Sequence, residues 1–179
     1  RSFETVTLTV NYRTPAEIVE VADAVRRRYL GGDDSSRALR SGGYRIRYRQ
    51  VPSGSLSDAV LSELEKTPEG LRSGTSCIVT PKSLGPGLEE ALERRQVAAG
   101  DAYLTDTRVI DAMAMRGLEF DNVVILEPFH LLEEPERALR ALYVAMTRST
   151  QRVTMIGSAV CPEWLSSALV EVEVDDRLV

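Results

Sequence analysis

Val123, Val124, Ile125 and Leu126 are four consecutive branched apolar residues, set between Asn122 and the polar stretch that opens at Glu127. A strand with one wet face alternates apolar and polar residues, so an unbroken apolar run predicts an interior strand of a parallel sheet, covered on both faces. A parallel sheet needs crossover connections, and the flanking sequence supplies them as helical patterns. Val6–Val10 reads as a strand leading into AEIVEVADAVRRRYL, where Ile18, Val21, Ala22, Val25 and Tyr29 recur at helical spacing and Pro15 sits in the first turn. Gly31-Gly32 stops that helix, and the polar loop 31–43 is expected to be mobile. Tyr44, Ile46 and Tyr48 alternate with Arg45, Arg47 and Arg49, the period of a half-buried strand with one basic face. SLSDAVLSELEKT predicts a helix capped by Ser55 or Ser57, and Thr75–Thr80 a short buried strand. After the breaker SLGPG comes a helix over Leu88–Val97, and Arg108–Met113 and Asn122–Leu126 bracket a turn. Pro135 opens a helix that runs to Thr147-Arg148, and Val153–Gly157 closes the sheet. The class is α/β with a mainly parallel sheet.

A chain of 179 residues is enough for one domain with a real core. No apolar run approaches the length of a membrane span, and no secretory pattern opens the sequence. The sequence begins at Arg1, which leads us to expect a piece of a longer protein. Cys77 and Cys161, far apart and the first within an apolar stretch, read as reduced thiols of a cytoplasmic protein. No metal-ligand spacing exists, and the single His130 reads as a surface or hinge residue. The net charge of −5 argues against a protein that coats nucleic acid. Charge is uneven, however. Arg26, Arg27, Arg28, Arg37, Arg40, Arg45, Arg47 and Arg49 cluster early, opposed there by Asp33 and Asp34, and the stretch reads either as a solvated basic face or as a docking patch.

The helical run Ala141–Met146 ends at Thr147-Arg148 and turns at once toward a strand. Such an arginine is either a cation that welcomes the helix C-terminus or a guanidinium aimed at phosphate charge elsewhere. Asn11-Tyr12-Arg13 sets an aromatic face beside a guanidinium, which suits a base over a phosphate. No GxxxxGK[ST] stretch occurs, so a phosphate-directed arginine would serve a P-loop on another domain. Ligands of parallel sheets gather at the carboxyl ends of strands, where the pattern places NYRT, TPK and MRGLEFD, while the TRS stretch sits instead at a helix end, just before a strand. Arg13, Gly117, Glu119 and Arg148 are therefore expected along one edge.

The order of these stretches points to a family. NYRTPAEIVEVADAV resembles the fourth motif, RGLEFDNVVIL the fifth and ALYVAMTRSTQRVTM the sixth of superfamily 1 helicases of the UvrD/Rep type. The resemblance implies the second, C-terminal RecA-like domain of a two-domain motor: three layers, the P-loop NTPase superfamily fold without its own P-loop, with ATP in the cleft against an N-terminal P-loop domain. By match, Tyr12 would stack on adenine, Arg13 and Arg148 would reach the γ-phosphate, and Glu119 would bind the ribose or order the cleft. Gly117 would let the backbone pass close to the nucleotide. Magnesium ligands are expected on the other domain, and this domain alone is expected to be inactive. Thr80, Lys82 and Arg116 are the candidates for nucleic-acid contact. The threonine and histidine that touch single-stranded DNA in the family are replaced by Asp111 and Met113, and Arg116 stands for the lysine. The segment between the fourth and fifth motifs is also too short for a large inserted domain. Both departures resemble HelD-type factors, helicase-like ATPases that bind RNA polymerase and release it from nucleic acid. The partner is accordingly single-stranded DNA or RNA polymerase.

Overall fold

The computed structural model describes residues 10–30 and 37–178. Most of the first strand candidate, and residues 31–36 of the polar loop, lie outside this range. Six strands form one sheet: β3 (Arg47–Gln50), β4 (Ser76–Thr80), β5 (Arg108–Asp111), β6 (Phe120–Leu126), β7 (Ser149–Gly157) and β8 (Glu171–Val174). Their spatial order is β5-β4-β6-β7-β3-β8, and every pairing is parallel. A separate parallel pair joins β1 (Val10–Asn11) to β2 (Arg37–Ala38).

The continuous apolar run lies in β6, paired on both sides, with Val123 to Leu126 at most 1% exposed. Its residues divide between two cores. Val123 and Ile125 face the layer of α1 (Ala16–Leu30) and α6 (Pro135–Thr147), with Ile18, Val25, Leu142 and Met146. Val124 and Leu126 face α2 (Leu56–Glu65), α4 (Gly85–Ala99) and α5 (Ala102–Asp106), with Val60, Leu64, Leu88 and Leu104. The result is three layers, helices over both faces of a parallel sheet, the arrangement that covers strands with no polar face. Short helices α3 (Glu69–Arg72) and α7 (Glu163–Ser166) complete the layers.

Several elements differ from the sequence reading. The stretch SLGPG does not delay the fourth helix to Leu88: α4 begins at Gly85 with Pro86 in its first turn, where a missing N–H costs nothing and φ is already helical. Gly100 closes α4 in the left-handed region at φ 63°, its N–H donating to the Gln96 carbonyl at 2.8 Å. Gly100→Ala is expected to lower unfolding stability by about 1–2 kcal/mol, the cost of a Cβ in that conformation, as read from the urea midpoint at unchanged m-value. Ser55 is the N-terminal cap of α2, yet its side chain makes no capping bond. The strand read from Tyr44 begins only at Arg47; Tyr44 is 42% exposed, while Ile46 and Tyr48 are buried as the alternation requires.

The basic face of β3 is not open. Arg47 donates to Glu63 of α2 at 2.6 Å, and Arg49 lies 3.6 Å from Glu173 of β8. Of the early arginines, Arg47 and Arg49 are thus engaged within the sheet and Arg26 lies 3.3 Å from Asp23, while Arg27, Arg28, Arg40 and Arg45 are exposed.

Glu63 is itself 4% exposed and holds a buried network. Its Oε1 accepts from Arg47, from the buried Arg152 of β7 and from Thr154. Arg152 also donates to the Thr67 hydroxyl at 3.3 Å, which accepts from the Tyr103 hydroxyl at 3.2 Å. Ser76 and Asn122 donate in turn to Tyr103 at 2.7 and 2.8 Å. One chain of polar groups therefore fastens α2 and α5 to β3, β4, β6 and β7. Burial, and then the charge of Arg47, pull the Arg152 pKa below its ordinary value against the opposing pull of Glu63.

Candidate functional site

Of the stretches singled out in sequence, NYRT follows β1 and TRS stands between a helix end and a strand, as read, whereas MRGLEFD does not stay at the carboxyl end of β5 but crosses to the amino edge of the sheet. Glu119 stands immediately before β6 and Arg148 immediately before β7, so both lie at the amino ends of the central strands. The reason is the connection from β5: the chain leaves its carboxyl end through a single 3₁₀ turn, Ala112–Met115, and returns across the sheet without a long helix. MRGLEF is the end of that return path. Thr80, Lys82 and Asp111 stay at or just beyond the carboxyl ends of β4 and β5.

A hairpin of contacts closes the amino edge. Leu118 N–H donates to the Met115 carbonyl at 3.2 Å, with Arg116 at φ −63°, ψ 124° and Gly117 at φ 79°. These are the angles of a type II turn, whose third residue must take a positive φ, and that is the use of the glycine here. No neighbouring atom crowds the position where a Cβ would stand, so the requirement is conformational rather than one of close approach. The turn delivers Glu119 to Arg13, and the two side chains form an ion pair between exposed groups. Thr14 is buried, and its hydroxyl lies 3.4 Å from the Thr147 carbonyl at the end of α6. Tyr12, beside this pair, is 75% exposed.

Asp121 organises the same edge. Its carboxylate accepts from the Thr75 N–H at 2.9 Å, the Thr150 hydroxyl at 2.7 Å and the Gln151 amide at 3.2 Å. Burial pushes this carboxyl up, but the hydrogen bonds from Thr150, Thr75 and Gln151 outweigh it and hold the pKa below the usual value. Gly74 leaves room for it: a Cβ there would lie 2.7 Å from Asp121 Oδ2, so a larger residue would displace the carboxylate.

Arg148 is fixed by its backbone and left unengaged by its side chain. Its N–H donates into the last turn of α6 at 3.2 and 3.3 Å, and its carbonyl accepts from Phe120 N–H at 3.0 Å. The Thr147 hydroxyl serves the Tyr143 and Val144 carbonyls at 3.0 and 3.1 Å. The helix end is therefore satisfied without the guanidinium. The Arg148 Nε is buried with no hydrogen bond, and no ion pair reaches the group among the described residues.

Residues 107–156 match the UvrD-like helicase C-terminal domain. That UvrD-like segment carries Gly117, Glu119 and Arg148, whereas Tyr12 and Arg13 come to it from outside through the fold. The C-terminal domain of a possible DNA helicase from Lactobacillus plantarum WCFS1 superposes with a TM-score of 0.65 at 16% identity, over 93% of this chain and 99% of that one. The domain surrounding the UvrD-like segment therefore has the fold of that helicase C-terminal domain. C. elegans PCH-2 overlaps only weakly, at a TM-score of 0.36 and 12% identity, over 88% of this chain and 41% of that one. No curated protein matches in sequence.

Of the three residues read as nucleic-acid contacts, Thr80 is 1% exposed and its hydroxyl has no partner, while Lys82 and Arg116 are exposed. Asp111 is occupied as a cap, its Oδ1 accepting from the Met113 N–H at 2.7 Å, and Met113 is 43% exposed. His130 lies 3.2 Å from Glu127, a residue passed over in sequence. Glu127 is buried at the carboxyl end of β6 with φ 49°, and its Oε1 accepts from Ser158 N–H at 3.0 Å, tying together the ends of β6 and β7. The sequence signal was a charged residue placed directly after an interior strand. Among the described residues no helix is long and apolar enough to cross a membrane, and no cluster of three His, Cys, Asp or Glu side chains could hold a metal.

Proposed function

We propose that the chain is the C-terminal motor domain of an ATP-dependent DNA helicase or translocase, completing the ATP site of an N-terminal P-loop domain. The observation that carries this reading is the unengaged guanidinium of Arg148, at a helix-to-strand junction whose backbone meets Phe120, next to Glu119, and Thr14, next to Arg13. ATP supplies the phosphoryl group that is transferred, and the groups gathered here fit it. The exposed Tyr12 ring offers a face for the base. Glu119 is placed for a ribose hydroxyl once Arg13 turns to phosphate, and their exposed pair, worth about 1 kcal/mol or less, yields readily to a polyanion. Arg148 would lay its planar fork against the terminal phosphate. Magnesium ligands belong, on this reading, to the P-loop domain, and the present chain alone would hydrolyse no ATP.

In the protein with both motor domains, Tyr12→Ala is expected to raise KM for ATP by up to about tenfold, the worth of one aromatic stack, with kcat unchanged. Steady-state kinetics against ATP concentration checks it, and an unaltered KM would remove Tyr12 from the site.

A second reading, a HelD-type ATPase that binds RNA polymerase, is favoured by Asp111 and Met113, which offer a strand no donor: one carboxylate is already spent on a cap and the other side chain is a thioether. Copurification of the full-length protein with polymerase, insensitive to nuclease, would decide for it.

A further inference from the structure

The last strand of the sheet, β8, lies far from the nucleotide edge in sequence and is bonded on one side only. There it runs parallel to β3, with Arg47 opposite Glu171, Tyr48 opposite Val172, Arg49 opposite Glu173 and Gln50 opposite Val174. Residues opposed in this way share a face of the sheet, and successive residues alternate between faces. Glu171 and Glu173 therefore stand on the face of the arginines, and Val172 and Val174 on the face of Tyr48. On its inner side β8 has thus accepted a strand in which cations alternate with uncharged residues. Its outer side meets no strand among the described residues.

The side chains along that open edge are not used up by the inner partner. Arg47 is drawn to Glu63, so no hydrogen bond or ion pair reaches Glu171 among the described residues, and Glu173 has only Arg49 at 3.6 Å. Val170, Val172 and Val174, which fall on one face, are 37–56% exposed, so no helix covers them. A row of backbone donors and acceptors, two carboxylates on one face and a valine stripe on the other make one continuous surface.

We propose that the outer edge of β8 docks an extended segment of a second, different protein, in which cationic residues alternate with branched or aromatic apolar ones, as a seventh strand of the sheet. In such strand addition the backbone bonds supply affinity for any extended chain, and the alternating side chains supply the choice. Cations on one face meet Glu171 and Glu173, and apolar side chains on the other cover the valines. Nucleic acid is excluded here, because its phosphates would meet the two carboxylates. The pattern required is that of residues 44–49, YRIRYR, part of which β8 already pairs. Nothing in this proposal depends on the ATP site.

The test is fluorescence anisotropy of a labelled peptide with the sequence of residues 44–50, titrated with the full-length protein at low salt and without nucleotide. The peptide is expected to bind, and one of equal composition with its arginines grouped at one end to bind at least about fivefold more weakly, since only alternation places cations and apolar groups on opposite faces. Of two further peptides, N-methylated at the odd or at the even amides, one is expected to lose binding and the other to keep it, because a strand bonds its neighbour through one edge. Glu171→Lys with Glu173→Lys is expected to weaken binding at least about tenfold, two cross-strand pairs having turned from attraction to repulsion. Glu89→Lys with Glu90→Lys, the same change of charge on the exposed part of α4, is expected to leave it unaltered. The methylated peptides are read on the unmodified protein, so they decide the matter even where the charge reversal loosens β8. The proposal is overturned if the peptide does not bind, if the grouped peptide binds as tightly, if the two methylated peptides behave alike, or if the β8 reversal binds as tightly as the α4 control.

Discussion

Arg148→Ala, made in the protein that carries both motor domains, is expected to lower kcat for ATP hydrolysis about 10³-fold, the lower end of what an arginine finger contributes, while nucleotide affinity changes little. Arg148→Lys is expected to fall nearly as far. An ammonium can supply charge but not a planar fork that binds two oxygens. The split between kcat and affinity is the diagnostic. A cation that merely completed a helix end would affect stability by a few tenths of a kcal/mol up to about 1 and leave turnover intact. The last carbonyls of α6 do not call on the guanidinium, being met by Thr147 and by a backbone N–H. Single-turnover ATP hydrolysis with equilibrium binding of a non-hydrolysable analogue checks it, and an unchanged kcat would return Arg148 to the helix.

Glu63→Ala is expected to cost about 3–5 kcal/mol of unfolding free energy, the penalty for stranding a buried charge. Arg152 would be left 6% exposed by side chain, with only the Thr67 hydroxyl close to it and Arg47 repelling it nearby. Against a typical domain stability of about 5–15 kcal/mol, that is enough to unfold a good part of the population at moderate urea. Replacing Glu63 and Arg152 together by leucine and methionine is expected to recover much of the loss, since what destabilises is the unpaired ion rather than the missing bridge. Urea unfolding of the single and double variants measures both; equal losses in the two would show that the network acts through packing alone.

How legible these features were in sequence depended on how far each signal was local. The interior strand, α1 and α6 announced themselves because apolar runs and helical spacing are properties of adjacent residues. The edge strand β8 did not: all four of its residues are exposed, and EVEV followed by Asp175-Asp176 reads as an acidic tail. Glu63 was hidden in SELEK, which looks like a solvated helix face. A finer signal was present, for the buried positions of α2 are Leu56, Ala59, Val60, Glu63 and Leu64, which puts the carboxylate on the apolar stripe. The convergence of Arg13 on Glu119 spans 106 positions and follows only from topology. The place of MRGLEFD was misread for the same reason, since the general rule for parallel sheets assumes a helix in each crossover and the path from β5 to β6 has only a short turn.

The outer edge of β8 faces solvent with no strand beside it among the described residues. Exposed backbone N–H and C=O groups on such an edge are a template for self-association. Glu171 and Glu173 are its guard: a second copy aligned edge to edge would bring like carboxylates into register, at a cost that grows as salt is lowered. The colloidal behaviour of this protein is thereby tied to ionic strength: dilute salt keeps the sheets apart, and concentrated salt screens the repulsion that prevents them from joining.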